Sequence, residues 1–123
     1  MPRELSSHKV NGLNDAITIA VLDEPGSGGA CHRYAMSLDT GDAGQSLGNI
    51  NFQNGPIKES GFNGTSNEAL LAILIDRMEG FQSGQYATIE NQIALDHMRA
   101  AQNILKFRTQ QRMARGVEGT HKV

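Results

Sequence analysis

The distribution of glycine is the feature that most limits what this chain can fold into. Ten of the fourteen glycines lie at or before Gly64, and no glycine or proline occurs between Gly84 and Gly116. Glycine is frequent in turns and unfavourable inside helices, because it loses more backbone freedom on folding than any other residue. We therefore predict strands and turns in the first half of the chain and helices in the second, with the boundary near Thr65.

Apolar side chains alternate with small or polar ones in two segments of the first half, Ile17–Val21 and His32–Leu38. Such alternation is typical of half-buried strands. A third short strand is expected around Leu47–Gln53, before the turn signals Asn54-Gly55-Pro56 and Asn63-Gly64. These segments predict a small antiparallel sheet.

Three other segments are expected to be less ordered. Residues 23–29 contain a proline and three glycines and are predicted to be a flexible connection between the first two of these strands. Residues 1–12 and 117–123 are expected to be poorly anchored, as chain ends are when nothing packs against them.

The first helix is predicted to begin at the capping box Thr65-Ser66-Asn67-Glu68, in which the Thr65 side chain accepts a hydrogen bond from the Glu68 amide. It covers about 15 residues before the stop at Gly80 and Ser83-Gly84. Its apolar residues are three or four positions apart, as in an amphipathic helix; they are Leu70, Leu71, Leu74, Ile75, Met78 and Phe81.

The second helix starts at Tyr86 or Thr88 and runs to about Arg115. Its apolar stripe is Ile89, Ile93, Ala94, Met98, Ala101, Ile104 and Leu105. At ~1.5 Å per residue it is ~42 Å long, whereas the first helix covers ~22 Å. Half of the long helix lacks a partner in the hairpin, so Ile104, Leu105 and Phe107 must pack on the sheet of the same chain or on a second copy. We expect at least a dimer.

The predicted fold class is α+β: a small N-terminal antiparallel β-sheet followed by a C-terminal two-helix hairpin with a long second helix. All 123 residues are expected to form a single domain. Within it, residues 13–64 are the β-rich part, residues 65–115 the helical hairpin and residues 116–123 a C-terminal tail.

Composition argues against several classes of protein. The longest apolar stretch, Ala69–Ile75, is far shorter than the ~20 residues of a membrane span, and the N-terminus has no apolar signal region. The lone Cys31 and the four scattered histidines offer no disulfide and no ligand spacing for a metal. A P-loop and a nucleophile elbow are both missing. We expect an intracellular protein that is not an enzyme, needs no cofactor or metal and contacts no membrane.

Charge is distributed unevenly along the chain. Residues 1–96 have a net charge of −7, and residues 97–123 have a net charge of +5. The C-terminal end should therefore attract anions, although a solvated basic face at a helix C-terminus, which the helix dipole favours, explains the same residues. A DNA or RNA polymer is a weaker explanation, since the pI is about 6.0 and Phe107 is the one aromatic residue in the basic segment.

Three segments resemble the first Thoeris anti-defence family of phages, with its Acb2/Tad1-type hairpin. The resemblance covers about residues 50–123 and is strongest in Ile50–Gly64, in Leu70–Gly84, and in Arg108-Thr109, Arg112 and Arg115–His121. Through the hairpin alone the chain is also similar to the phage anti-CBASS sponge proteins that bind cyclic dinucleotides.

The resemblance implies a non-enzymatic sponge in the cytoplasm of the host cell. Such a protein captures glycocyclic ADP-ribose isomers, which a bacterial TIR-domain defence protein makes, and it holds them intact so that the downstream effector is never activated. Family members form dimers that assemble into hexamers, and some hold cyclic di- or trinucleotides in a separate pocket.

A cyclic ADP-ribose presents a pyrophosphate, an adenine face and ribose hydroxyls, so its site needs cations, a flat surface and amide groups. Arg108, Arg112 and Arg115 lie four and three residues apart on one helix face and are the phosphate candidates. Phe81 is the candidate adenine platform, with Met78 beside it, and Asn91 can bind the base edge or the ribose. The family motif adds Thr109, and it places Asn54 and Lys58 in a loop near the ligand.

Each assignment has a simpler structural alternative. Phe81 and Met78 can be core residues, Asn91 an exposed early-helix residue, and Asn54 part of a tight turn. The three arginines can form dimer salt bridges to the acidic first half. At the level of function, the alternatives are a protein-interaction module that docks an acidic host partner and an undetected phosphodiesterase.

One distance predicts how the site is built. Asn91 and Arg112 are ~31 Å apart on one helix, which is too far for one small ligand. If the long helices of two copies run antiparallel, the basic end of one lies beside Phe81 and Asn91 of the other, and a twofold axis creates two composite sites.

Overall fold

The computed structural model describes residues 3–41 and 44–123. The chain divides into two compact units. The sheet unit consists of the residues up to Gly55 together with Ser60–Gly64, and the hairpin unit consists of Pro56–Glu59 and Thr65–Val123. The main boundary falls at Thr65, where glycine becomes rare, and the α+β class is confirmed. That both units form a single domain stays a prediction.

The sheet unit is a four-stranded antiparallel sheet in the order β1-β2-β3-β4. The strands are β1 Arg3–Leu5, β2 Ile17–Val21, β3 Arg33–Leu38 and β4 Gln45–Asn51. The alternation explains the register between β2 and β3, because Ile19 faces Met36 and Val21 faces Tyr34, so the apolar side chains share one face. An irregularity in the pairing of β3 with β4 lies opposite Gly48, whose φ of 128° is one that glycine adopts readily.

The N-terminal segment differs from the prediction. Arg3–Leu5 pairs with β2, and His8 Nε2 lies 2.7 Å from the carbonyl oxygen of Ile17. These contacts, together with the short helix α1 at Gly12–Ala16, show that the expectation of a poorly anchored start is wrong for Arg3–Leu5 and His8. Residues 1 and 2 lie outside the described residues. Strand β1 has too few residues to show alternation, which is why the sequence pattern did not reveal it.

The connection between β2 and β3 is tied down rather than flexible. The carboxylate of Asp23 accepts hydrogen bonds from the backbone amides of His32 at 2.9 Å and Arg33 at 3.1 Å. Both bonds lower the pKa of Asp23 below its ordinary value of 3.8, and the bond from the His32 amide has the larger effect. His32 is buried, and its Nε2 lies 3.0 Å from the Ser27 carbonyl in a short 3-10 turn.

The hairpin unit contains the short helix α2 at Ile57–Ser60, of which Ile57–Glu59 belong to this unit, and the long helices α3 at Asn67–Gln82 and α4 at Ile89–Ala114. Helix α3 has 16 residues and α4 has 26, which confirms the predicted inequality. Thr88 caps α4 by accepting from the Asn91 amide. The predicted cap of α3 is wrong by one residue, because Ser66, not Thr65, accepts from the amide of Ala69.

The hairpin is closed by contacts of α4 with α3. Ile75 and Leu95 are the buried apolar residues of the two helices, and Gln102 Nε2 donates to the Glu68 carbonyl at 3.2 Å. Glu68 is in the first turn of α3, so the last three turns of α4 extend beyond it. Arg99 joins the helices from the side, 2.8 Å from Glu79. No helix among the described residues is both long enough and apolar enough to cross a bilayer.

Helix α4 is apolar on two faces, and the predicted stripe mixes them. Seven of the less exposed residues follow a repeat of four and three positions, which is typical of a helix that packs along a partner; they are Asn91, Leu95, Met98, Gln102, Leu105, Thr109 and Arg112. Ala94 and Arg99, which are also less exposed, lie beside this row. Ile89, Ile93 and Ile104 of the predicted stripe are exposed in the single chain. The apolar periodicity of the sequence is the same for both faces of α4, so it does not predict which face packs against α3.

Candidate ligand-binding site

The predicted site residues of the hairpin unit fall into two groups. Met78, Phe81 and Asn91 are at the hairpin tip, where α3 ends and α4 begins. Four others are in the last turns of α4 or follow it; they are Arg108, Thr109, Arg112 and Arg115. Because α4 is one continuous helix, Asn91 and Arg108 are ~26 Å apart along it. A single chain does not bring the two groups together.

Backbone hydrogen bonds to Gln82 fix the hairpin tip. Gln82 Nε2 donates to the carbonyl of Thr88, and the amide of Thr88 donates back to Gln82 Oε1, both at 3.0 Å. The Thr88 hydroxyl accepts from the amide of Asn91 at 3.0 Å. Phe81 precedes Gln82 in α3, so this chain of bonds positions Phe81 and Asn91 relative to each other across the turn.

The ring of Phe81 is not a buried core residue. It is 37% exposed, and the guanidinium carbon of Arg77 lies over it, 4.9 Å from the ring centroid. Met78 is half-buried, so its role as a core residue in the hairpin is the simpler one. Arg77 is a feature that the sequence analysis missed, although the spacing of four residues between Arg77 and Phe81 is the signal for such a contact on a helix.

Arg112 differs most from its prediction. It is only 9% exposed, and its guanidinium is occupied by the C-terminal tail. Nη1 donates to the Lys122 carbonyl at 2.6 Å, and Nη2 donates to the carbonyls of Val117 at 3.0 Å and Thr120 at 3.2 Å. Nε lies 3.5 Å from Glu118 Oε2. In this structure Arg112 therefore stabilises the tail and does not present its donors to a ligand.

The same contacts overturn the expectation that residues 117–123 are poorly anchored. Val117 is buried, and its amide donates to the Arg112 carbonyl at 3.0 Å. The Glu59 carboxylate lies 2.9 Å from His121 Nδ1, and the Lys58 amide donates to the Gly119 carbonyl at 3.2 Å. The tail thus packs against the end of α4 and against α2.

The other predicted cations are more accessible. Arg108 is exposed, and no carboxylate of the described residues lies within ion-pair distance of it. Arg115 is exposed and donates once, to the Val123 carbonyl at 2.6 Å. Thr109 is half-buried on the face of α4 that has the repeat of four and three positions. Arg108 is the clearest phosphate candidate of this group.

Asn54 and Lys58 lie on either side of the boundary between the two units. The Asn54 amide donates to the side chain of Asn63, and the Asn63 side chain donates back to the Asn54 carbonyl, both at 2.7 Å. The Gln53 side chain closes the same loop by donating to the Gly61 carbonyl. These bonds support the tight-turn explanation of Asn54. In the ranges 3–41 and 44–123, no cluster of three or more His, Cys, Asp or Glu side chains could hold a metal ion.

Comparison with known proteins shows that part of the chain is similar to a described family. Residues 46–105 match the family described as "Acb2/Tad1, hairpin domain". This segment, just under half of the chain, is similar to that hairpin domain. The matched segment begins in β4, includes α2, α3 and the hairpin tip, and ends inside α4 at Leu105. Met78, Phe81 and Asn91 lie within it, whereas the basic residues from Arg108 onward follow it.

A curated relative extends the match. The protein named "Thoeris anti-defense 1" of Bacillus phage SBSphiJ7 is 44% identical over 75 residues, which are 61% of this chain and 53% of the relative. The chain therefore spans about half the length of this relative. Together with the match to the hairpin-domain family, this identity confirms the resemblance to the Thoeris anti-defence family that the residue motifs indicated.

Proposed function

We propose that this protein is a phage anti-defence protein that counteracts Thoeris immunity by binding its nucleotide signal. The signal is a glycocyclic ADP-ribose isomer, which the protein holds without chemical change in the cytoplasm of the host cell. The identity to the Bacillus phage Thoeris anti-defense 1 is the observation that supports this proposal most strongly. The chemistry of the hairpin tip agrees with it.

The tip offers the groups that such a ligand needs. The exposed ring of Phe81 is a flat apolar surface on which adenine can stack. The side-chain amide of Asn91 has both donors and an acceptor for a base edge or a ribose hydroxyl. Because the hydrogen bonds of Gln82 and Thr88 hold both residues in place, binding costs little ordering of the tip.

A second copy of the chain is part of the proposal. Beside the face with the repeat of four and three positions, α4 has a second apolar stripe with Ile89, Ile93, Ile104 and Phe107, which are 76, 53, 68 and 59% exposed. Ala100 lies in the middle of this stripe and allows close approach of a second helix. A sustained apolar stripe on a helix surface is typical of a protein interface.

Antiparallel pairing of two α4 helices about Ala100 makes the composite site possible. Asn91 and Thr109 are both nine residues from Ala100, so Asn91 of one copy is level with Thr109 and Arg108 of the other. Arg108 of the second copy then provides a cation near the tip of the first, in place of Arg112. We propose this dimer as the binding unit, with a hexamer as its further assembly.

Ligand capture and recovery test the proposal. The protein is incubated with glycocyclic ADP-ribose, free ligand is removed by filtration, and the protein is then heated. We expect mass spectrometry to recover the ligand unmodified, whereas a hydrolysed product would indicate a phosphodiesterase. Absence of binding in calorimetry at micromolar ligand would contradict the proposal and would favour a module that docks an acidic host protein.

Two matched pairs of variants test the site. Phe81→Ala should weaken binding about 10- to 100-fold, which is the usual loss when a base-stacking aromatic is removed. Phe62→Ala, at a ring that is 89% exposed in the sheet unit, should leave binding unchanged. Asn91→Ala should weaken binding, and Asn103→Ala on the same helix should not.

Mixed variants test the composite site. A Phe81→Ala chain and an Arg108→Ala chain, each defective alone, should regain about a quarter to a half of the wild-type sites when mixed, because a heterodimer has one intact site. Absence of recovery would contradict the dimeric site. Titration with cyclic di- and trinucleotides, with and without bound glycocyclic ADP-ribose, tests for a separate pocket.

A further inference from the structure

We propose that Arg77 and Gly80 are ligand-binding residues that complete the Phe81 site within one chain. Arg77 binds the pyrophosphate of the nucleotide, and Gly80 allows the ligand to approach the helix backbone. The proposal rests on the function given above, since it takes the ligand to be an adenine nucleotide with a pyrophosphate. Together with Phe81 and Gly84 these residues form what we call the α3 terminal face.

The positions of the four residues place them side by side. Gly80, Phe81 and Gly84 lie three, four and seven positions after Arg77, which is the spacing of residues on one face of a helix. Gly84 follows the helix by two residues. The α3 terminal face therefore has a cation and an aromatic ring flanked by two positions without side chains.

The contact between Arg77 and Phe81 prepares the ring for stacking on one side. With the guanidinium 4.9 Å from the ring centroid, one face of the ring is covered and its orientation is restrained. A planar base can then stack only on the opposite face. The negative potential of the ring face attracts the guanidinium, so the contact also holds the arginine near the bound base.

Arg77 has donors available for an anion. Among residues 3–41 and 44–123, the structure records no hydrogen bond and no ion pair for its guanidinium, in contrast to Arg99 and Arg112. A stacked guanidinium keeps its five N–H groups in the plane of the group, where they can bind two phosphate oxygens at once. Arg77 can therefore stack on Phe81 and bind a phosphate group at the same time.

Gly80 is a glycine that the fold itself does not require. It lies inside α3, where glycine is unfavourable, and it needs no left-handed φ. A Cβ added to Gly80 would meet no atom within 4 Å, and the same holds for Gly84. Open space beside an exposed ring and a cation is the arrangement in which a ligand can contact the backbone closely.

Arg77 is also close enough to Phe81 for both residues to bind the same nucleotide. Adenine and pyrophosphate are joined through a single ribose in an ADP-ribose, so the phosphate cation must lie within one nucleotide of the stacking ring. Arg108 of the same chain is ~26 Å from Asn91 along α4, whereas Arg77 contacts Phe81 directly. One chain therefore provides both the base platform and a first phosphate cation.

Gly80→Ala is the sharpest test. The added methyl group meets no atom of the chain, and alanine favours the helix, so Tm should rise by about 4 °C. Binding of glycocyclic ADP-ribose should nevertheless weaken at least tenfold, which a folding defect cannot explain. Gly12→Ala makes the same change in the exposed helix α1 and should leave the Kd unchanged. An unchanged Kd for Gly80→Ala would overturn the role of Gly80.

Arg77→Gln and Arg77→Lys test the phosphate contact. Arg77→Gln should raise the Kd at least tenfold and should make the Kd less sensitive to NaCl, because a charge pair with the ligand is lost. Arg77→Lys should recover part of the affinity, since it keeps the charge without the planar fork. Arg33→Gln, at an exposed arginine of the sheet unit, is the control for net charge. Wild-type affinity and salt dependence in Arg77→Gln would overturn the inference.

These outcomes separate the inference from the proposed function. If the wild-type protein does not bind glycocyclic ADP-ribose, the proposed function is wrong and the inference falls with it. If the wild-type protein and the Phe62→Ala control bind it, Phe81→Ala does not, and both Arg77→Gln and Gly80→Ala bind normally, only the inference is wrong.

Discussion

The guanidinium of Arg112 donates to the carbonyl of Val117 at 3.0 Å, so a side chain in the last turn of α4 holds the backbone that leaves the helix. The Val117 amide in turn donates to the Arg112 carbonyl at 3.0 Å. This reciprocal contact turns the chain back against α4. It explains why an arginine is buried at this position and why the segment after α4 is ordered.

Arg112→Ala should release this tail. The substitution leaves the carbonyls of Thr120 and Lys122 without their donor and Glu118 without its counterion, so the free energy of unfolding should fall by about 3 kcal/mol. Hydrogen exchange at the amides of Val117 and Thr120 should accelerate, and urea unfolding measures the loss. Arg115→Ala removes one exposed hydrogen bond and should cost less than about 0.5 kcal/mol. Equal stability of both variants would contradict the structural role of Arg112.

The role of Arg112 shows what a sequence pattern can and cannot predict. Spacing alone predicts that Arg108, Arg112 and Arg115 share one helix face, and α4 includes the first two and ends one residue before Arg115. Whether an arginine on that face binds phosphate or backbone carbonyls depends on the path of the residues after the helix. The sequence of residues 116–123 does not predict that path, because it contains no apolar periodicity.

The elements with local signals were predicted well. Helix α4 ends within one residue of its expected end. The helix contains no glycine or proline, and Gly84 and Gly116 lie just outside its two ends. Strand β1 was missed because its three residues have no alternation, and its place depends on pairing with β2, a contact that is distant in the sequence. The contact between Arg77 and Phe81 could have been predicted from their spacing of four residues on a helix. Whether it matters for ligand binding depends on the exposure of the Phe81 ring, which the sequence does not give.

Ser66→Ala should destabilise the hairpin more than Thr65→Ala does. The Ser66 hydroxyl accepts from the Ala69 amide at 3.1 Å, and removal of an N-cap hydroxyl costs about 1 kcal/mol. Helical signal in circular dichroism during urea unfolding measures the change. If Thr65→Ala costs more, the capping box predicted from the sequence is the correct description of this helix end after all.

Asp23→Asn should destabilise the sheet unit in a manner that depends on pH. The backbone amides of His32 and Arg33 lower the pKa of the Asp23 carboxyl in the folded protein, so the carboxylate contributes stability above the unfolded pKa of about 3.8. This contribution is lost as the pH falls through the lower pKa of the folded state. The difference in Tm between the wild type and Asp23→Asn should therefore be largest near neutral pH and should shrink below about pH 3.8.

Glu24→Gln is the control for the change in net charge, because the structure records no hydrogen bond to this exposed neighbour among the described residues. Its Tm difference from the wild type should be small near neutral pH. A Tm difference for Asp23→Asn that stays constant from neutral pH into acid would show that the two backbone hydrogen bonds do not favour the charged form of Asp23.

Leu95→Ala and Ile93→Ala separate the two apolar faces of α4. Leu95 is 2% exposed in the hairpin, so its truncation leaves a cavity and should lower the free energy of unfolding by about 3 kcal/mol. Ile93 is 53% exposed, and its truncation should cost a single chain less than about 1 kcal/mol. Because Ile93 belongs to the stripe that we assign to a second copy, Ile93→Ala should instead shift the assembly towards monomer in mass photometry. Loss of stability without any change in assembly for Ile93→Ala would mean that this stripe packs within the chain, and the dimeric site would lose its structural basis.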